Sequence, residues 1–194
     1  MHLLWLLTTA LAGVVSAAPV VKTKRVSKLK FFGVNESGPE FGTGIFPGTL
    51  NKDYVWPTLS TYDTYISAGF NTFRLNIAME RITPNSLTGS LNPAYLASLK
   101  EQVNYVTGKG AYIMIQPHNY GRYYNNIITD TNGFQTFWKT LASQFASNSK
   151  VIFDTNNEYH DMAGSLVVQL NQAAINGIRA AGANSQWIHV EGNG

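Results

Sequence analysis

Short apolar runs that stop at polar residues recur along this chain at a nearly constant interval, with amphipathic stretches between them. The runs begin at Phe31 (FFGVN), Thr72 (TFRLNI), Ala111 (AYIMIQPH), Val151 (VIFDTNNE) and Trp187 (WIHVEG), at spacings of 41, 39, 40 and 36 residues. Their lengths and their β-branched and aromatic content predict strands. Between them the apolar positions fall at helical intervals: Leu96, Leu99, Val103 and Val106 within 93–109, then Phe134, Phe137, Trp138, Leu141 and Phe145 within 133–148. Leu166, Val167, Leu170, Ala174, Ile178 and Ala181 continue the pattern within 164–181. Asn92-Pro93 reads as an N-cap followed by a first-turn proline, and Gly69, Gly108 and Gly182 read as helix ends. Strand, helix, strand at this interval is the βαβ unit, which predicts a parallel sheet.

Two architectures accommodate five such units. A (β/α)8 TIM barrel typically takes about 250 residues, roughly 300 at this spacing, so the chain would hold its first five βα units. A five-stranded doubly wound sheet is the alternative. No Gly-x-Gly-x-x-Gly or Gly-x4-Gly-Lys-Ser/Thr follows any strand, which removes support for a nucleotide-binding form of the second. The end at Gly194, directly after the fifth strand, favours the first.

With 44% hydrophobic and 13% charged residues, the chain is expected to be globular. Residues 1–17 read as a secretory signal: an uncharged apolar stretch from Leu3 to Val15, then the small residues of Val15-Ser16-Ala17. The stretch is shorter than the ~20 residues a membrane span needs. Residues 18–29 read as a basic tail or pro-segment, with Lys24-Arg25 as a dibasic cleavage site, and 30–194 as the partial domain that carries the βα units. Removing 18–25 would delete Lys22, Lys24 and Arg25 and take the formal charge from +3 to 0. The basicity therefore belongs to the tail, and neither nucleic acid nor membrane is an expected partner. The absence of cysteine excludes disulfides, thiol nucleophiles and Cys-based zinc sites.

Polar groups that an ordinary core would not need stand at the carboxyl end of every predicted strand, where α/β folds place their chemistry. They are Asn35-Glu36, Arg74, Gln116-Pro117-His118-Asn119-Tyr120, Asn156-Asn157-Glu158, and His189 with Glu191. A guanidinium inside an apolar strand must meet a carboxylate. Arg74 is either a structural ion pair with Asp154 or Glu80, or the group that fixes a catalytic carboxylate. His118 is either a turn histidine or part of a site. Tyr120, Tyr123, Tyr124 and Tyr159 lie in tip loops, where they either pack or stack on a ligand.

Phe32-Gly-Val-Asn-Glu36, Thr72-Phe-Arg-Leu75, Pro117-His-Asn-Tyr-Gly-Arg122 and Asp154-Thr-Asn-Asn-Glu-Tyr-His160 closely resemble secreted fungal endo-β-1,4-glucanases of glycoside hydrolase family 5. The resemblance covers 30–193 and implies a retaining hydrolase of β-1,4-glucan, secreted, monomeric and without a cofactor. It makes Glu158 the acid/base. Asn157 becomes the partner of the sugar 2-hydroxyl, Arg74 the support of the nucleophile, and His118 a member of the same subsite; of the tip-loop aromatics, Tyr120 is the candidate substrate contact. Retention needs two carboxyl groups about 5–5.5 Å apart, one of them protonated. Partial burial and a nearby negative charge would keep Glu158 in that state.

The family's nucleophilic glutamate sits on strand seven, with a His-x-Tyr on strand six and a tryptophan on strand eight; the resemblance places all of them beyond Gly194. Gln116 stands where relatives commonly have aspartate. Glu36 and Glu191 are the stand-in candidates for the nucleophile. The runner-up function is a non-catalytic carbohydrate-binding paralogue that keeps half a cleft. Asn35-Glu36-Ser37 is the one glycosylation sequon, at a strand tip where modification is not expected. Glu158-Tyr-His160-Asp161 resembles a metal cluster only superficially, and retaining glycosidases need no metal.

Overall fold

The computed structural model describes residues 29–193; the signal, the dibasic site and most of the tail read from the sequence lie outside them. Five parallel strands form one sheet: β1 (Gly33–Glu36), β2 (Thr72–Ile77), β3 (Tyr112–Pro117), β6 (Val151–Asp154) and β7 (Ile188–His189). Their order is β1-β2-β3-β6-β7, the order of the chain. A doubly wound sheet reverses strand order at a switch point and carries helices on both faces. Here the order never reverses.

The helices also keep to one side. Phe73, Leu75, Ile113, Ile115, Val151 and Phe153 join a single buried cluster with residues of α1 (Leu59–Ser67), α2 (Met79–Ile82), α3 (Pro93–Gly108), α4 (Thr131–Ser143) and α5 (Gly164–Ala180). Met114 and Ile152, buried on the other face, stand apart from it. Five strands of a (β/α)8 barrel account for both facts. Among the described residues β1 and β7 each pair with one neighbour, which leaves the two sheet edges expected of a partial barrel.

Local chemistry sets the helix limits. Asn92 caps α3 by accepting from Ala94 N (3.0 Å) and Tyr95 N (3.2 Å), with Pro93 at the first turn. The left-handed residue after α3 is Gly110, not Gly108, which closes the helix itself. Helix α4 begins two residues before the expected 133 because Asp130 accepts from Gly133 N (2.8 Å), and it ends at Ser143, so Phe145 packs from the following turn. Trp138, fully buried, donates to Thr155 O and ties α4 to the end of β6. Gly177 allows α5 to approach α4: a Cβ there would lie 2.2 Å from Gln135 O.

A hairpin that the sequence reading missed, β4 (Arg122–Tyr123) and β5 (Asn126–Ile127), follows β3. Tyr124 and Asn125 take positive φ at its two-residue turn, the conformation that matches strand twist. Tyr124 N donates to the buried Glu80 carboxylate (2.7 Å), which anchors a turn otherwise unfavourable for tyrosine.

Candidate active site

Parallel register turns alternate residues of neighbouring strands toward the same face. Asn35, Arg74, Met114 and Ile152 are register partners on the face away from the helices. One step further along, Asn76 pairs with Gln116, and Asp154 with His189. The polar residues singled out from the sequence therefore fall in two rows at the carboxyl ends of the strands.

Arg74 is the hub of these rows. Its Nε donates to Asp154 Oδ2 (2.9 Å), Nη1 to Asn35 Oδ1 (3.1 Å), and Nη2 to both Asn157 Oδ1 (2.9 Å) and Glu191 Oε1 (2.7 Å). Of the two structural partners considered, Asp154 is present. Glu80 is bound instead to Asn119 Nδ2 and Tyr124 N. Asp154 is 2% exposed, and burial pushes its carboxyl up to about 7 against the opposing pull of the Arg74 charge.

The tip after β6 turns sharply. Asn156 Oδ1 accepts from Gly121 N (2.8 Å), and Asn157 N donates to Pro117 O (2.9 Å), so the tips of β3 and β6 are sewn together. Gly121 has φ +71, and a Cβ there would meet Met162 and Tyr159 at 2.4 and 2.6 Å. Glu158 adopts φ +41, a region that costs a non-glycine residue free energy. Its N–H donates to Glu191 Oε2 at 2.7 Å. The side chain of Glu158 is exposed, contrary to the partial burial expected for it, because the left-handed turn lifts it off the sheet. Asn157 is buried with its acceptor on Arg74, and its Nδ2 finds no partner among the described residues.

His118 and Tyr120 adjoin this tip. His118 Nδ1 lies 3.2 Å from Gln116 Oε1, and Nε2 lies 3.0 Å from the Tyr120 hydroxyl. Gln116 Nε2 donates to Pro117 O (2.8 Å), which turns its carbonyl toward the imidazole. Nδ1 is then the donor and Nε2 accepts from Tyr120. Burial holds His118 below its usual pKa, opposed by the charges of Glu40, Glu158 and Glu191. Tyr120 is raised first by burial and then by Glu158. The structure thus brings Arg74, His118, Tyr120, Asn157 and Glu158 into one neighbourhood.

Other expectations are corrected. Tyr159 is fully buried and is a packing residue, not a stacking platform. Glu36 shares the face of its register partner Leu75, toward the helices, and its charge bears on Tyr62 of α1. Both oxygens of Glu191 are already engaged. Glu36 thus faces away from the Arg74 row, and Glu191 is held within it. His160 and Asp161 form a local pair at 2.7 Å. No helix among the described residues is long and apolar enough to cross a membrane.

Sequence reasoning missed Glu40 and considered Glu80 only as an ion-pair partner of Arg74. Both line a cavity of about 150 Å3 with Phe46, His118, Asn119 and Tyr120. Glu40 accepts from Gly38 N (2.7 Å) and Asn76 Nδ2 (3.1 Å); Glu80 is held as described above. The usable signal was Glu80 directly after the strand β2 tip, in the same kind of position as Glu158.

Comparison with known proteins agrees with this architecture. Residues 32–194 match the family model described as cellulase (glycosyl hydrolase family 5). The chain is 60% identical over 166 residues to endoglucanase gh5-1 of Neurospora crassa, covering 86% of this chain and 43% of that protein. It is 54% identical over 187 residues to a probable endo-beta-1,4-glucanase B of Neosartorya fischeri, covering 96% and 56%. Among solved structures, XacCel5A in complex with cellopentaose superposes with a TM-score of 0.82 at 33% identity, over 85% of this chain and 53% of that one. Cel5A (EG2) of Hypocrea jecorina gives 0.75 at 28%, over 84% and 55%. The chain spans about half the length of the curated relatives it matches.

Proposed function

The chain belongs to glycosyl hydrolase family 5, and from that premise we propose that it serves retaining hydrolysis of internal β-1,4 bonds in cellulose or a related β-glucan. Glu158 is the acid/base, at an exposed strand tip within reach of a polysaccharide. It gives its proton to the glycosidic oxygen as the bond to the anomeric carbon breaks and a second carboxylate attacks that carbon. It then takes a proton from the water that releases the sugar. Asn157 binds the 2-hydroxyl: its acceptor is fixed by Arg74 and its donor is uncommitted. His118, as a neutral imidazole on Gln116, and Tyr120 flank the same sugar. Arg74 supports the nucleophile's side of the site. The resemblance to the family puts the second carboxylate on the seventh strand of the barrel; Glu36 shares the face of Leu75, toward the helices, and Glu191 is bonded to Arg74 and to the N–H of Glu158. The product acts outside the cell as a monomer.

The observation that carries this reading is the Asn157-Glu158 tip fastened to Arg74 and set beside His118. The test is reducing-sugar release from carboxymethylcellulose by the 194-residue chain and by the full-length gene product. The longer product is expected to hydrolyse and to lose activity with Glu158→Gln, while the 194 residues alone show none. Activity of the longer product that survives Glu158→Gln would sink the assignment. Glucan binding without hydrolysis by both would establish the non-catalytic alternative.

A further inference from the structure

We propose that Glu191 is a positioning residue for the acid/base, holding the main chain of Glu158 and the guanidinium of Arg74 in one frame; this rests on reading Glu158 as the acid/base. The carboxylate divides its two oxygens. Oε2 accepts from Glu158 N–H at 2.7 Å and Oε1 accepts from Arg74 Nη2 at 2.7 Å. Both are short, charge-assisted bonds. Glu158 needs such a partner because its φ of +41 is unfavourable for a side chain with a Cβ, and such a conformation persists only where its surroundings over-determine it.

Glu191 is itself held. Its main-chain carbonyl accepts from Asn171 Nδ2 (2.8 Å) on α5, and Asn171 Oδ1 accepts from the Thr155 hydroxyl. A backbone bridge between Tyr159 and Asn193 closes the same junction. The tip after β7 is thereby locked to the tip after β6 on both sides of Glu158. Arg74 extends the lock to Asn157, Asp154 and Asn35. One carboxylate thus fixes where the acid/base leaves the backbone and where the sugar-facing amide is held. With one oxygen on the Glu158 N–H and the other on Arg74, the carboxylate aims the catalytic residue.

The amide proton of residue 158 reports the bond directly, because a proton donated to a carboxylate changes its chemical shift when that carboxylate is protonated. The experiment uses the full-length gene product in a Glu158→Gln background, which removes self-titration. The other titratable or charged groups facing Glu191 are Arg74 from β2, His118 just after β3, Asp154 from β6, Tyr159 in the turn after β6 and His189 on β7. The amide of residue 158 is expected to titrate, and adding Glu191→Gln is expected to abolish that titration, since a carboxamide does not ionise and offers one oxygen in place of two. With Glu158 intact, Glu191→Gln is expected to lower kcat by about tenfold to a hundredfold, the usual consequence of misplacing a reacting group by an ångström, with KM within about twofold. Glu191→Asp, which keeps the charge but shortens the reach, is expected to lose the amide signature and most of kcat, and it serves if the glutamine variant fails to fold. An amide titration indifferent to residue 191, or an unchanged kcat, would overturn the proposal. Hydrolysis that survives Glu158→Gln would instead overturn the acid/base reading, so the two failures are separable.

Discussion

The Arg74–Asp154 pair makes a prediction that couples pH to stability. Asp154 is almost wholly buried, while Arg74 is about a quarter exposed and shared with Glu191, Asn157 and Asn35. Burial raises the Asp154 pKa from 3.8 to about 7. A raised folded-state pKa means that the native protein holds a proton which the unfolded chain has released. The resulting stability is complete below about pH 4 and is lost as pH rises to about 7. Three pKa units correspond to about 4 kcal/mol, an upper figure because water reaches the arginine side of the pair. Asp154→Asn should flatten this slope. Above pH 7 the carboxylate is ionised and depends on Arg74, so Arg74→Met should then cost about 3 kcal/mol, the low end for breaking a buried pair. The Arg74→Met/Asp154→Asn double variant should lose about 1–3 kcal/mol less than the two single losses combined at pH 8, and close to their sum at pH 5. Urea unfolding of the full-length gene product followed by tryptophan fluorescence, to which Trp138, buried against Thr155, contributes, measures all four corners. A wild-type stability flat from pH 4 to 7, or a cycle additive at pH 8, would refute the argument.

Two further perturbations follow from the same geometry. Arg81 is 1% exposed, donates to Pro39 O (2.8 Å) and Pro47 O (2.9 Å), and lies 4.4 Å from the Tyr54 ring centre. Arg81→Met should cost about 3–5 kcal/mol in the same unfolding assay, from two charge-assisted bonds to main-chain carbonyls, one of them buried, and should open the segment around Phe46 to protease; a loss under 1 kcal/mol would contradict this. Gly121→Ala should cost about 1–3 kcal/mol by thermal denaturation, because the positive φ and the contacts with Met162 and Tyr159 both resist a Cβ. It should also reduce hydrolysis by the full-length product by displacing Tyr159, the neighbour of Glu158; a stable and fully active Gly121→Ala protein would show that the tip tolerates the shift.

Much of the fold was legible because the strand faces that meet helices are continuous apolar rows at a fixed interval, and the helices carry their own caps. Asn92-Pro93 marked the start of α3 to the residue. Gly108 ends α3 as read, and Gly110, two residues on, takes the left-handed conformation with φ +85. The β4–β5 hairpin escaped because two-residue strands carry no periodicity. Its turn is held by Glu80, a residue 44 positions away.

The site was legible to the extent that charge imposes its own accounting. A guanidinium within TFRLNI demanded a carboxylate, and Asp154 was among the two named. Nothing in composition obliged Asn157 or Glu191 to share the same guanidinium, since neutral amides and exposed tips can be satisfied by water. Glu40 was invisible for the complementary reason, and Glu80 was named only as a partner of Arg74 that it does not meet: backbone N–H and asparagine donors satisfy both. What converts these separate residues into a site is register. Once Asn35, Arg74 and Met114 are aligned as neighbours, every second polar residue beyond them must emerge at the same end of the sheet. The left-handed turn at Glu158 then decides which carboxylate leaves the sheet, and the bond from its N–H to Glu191 holds that turn in place.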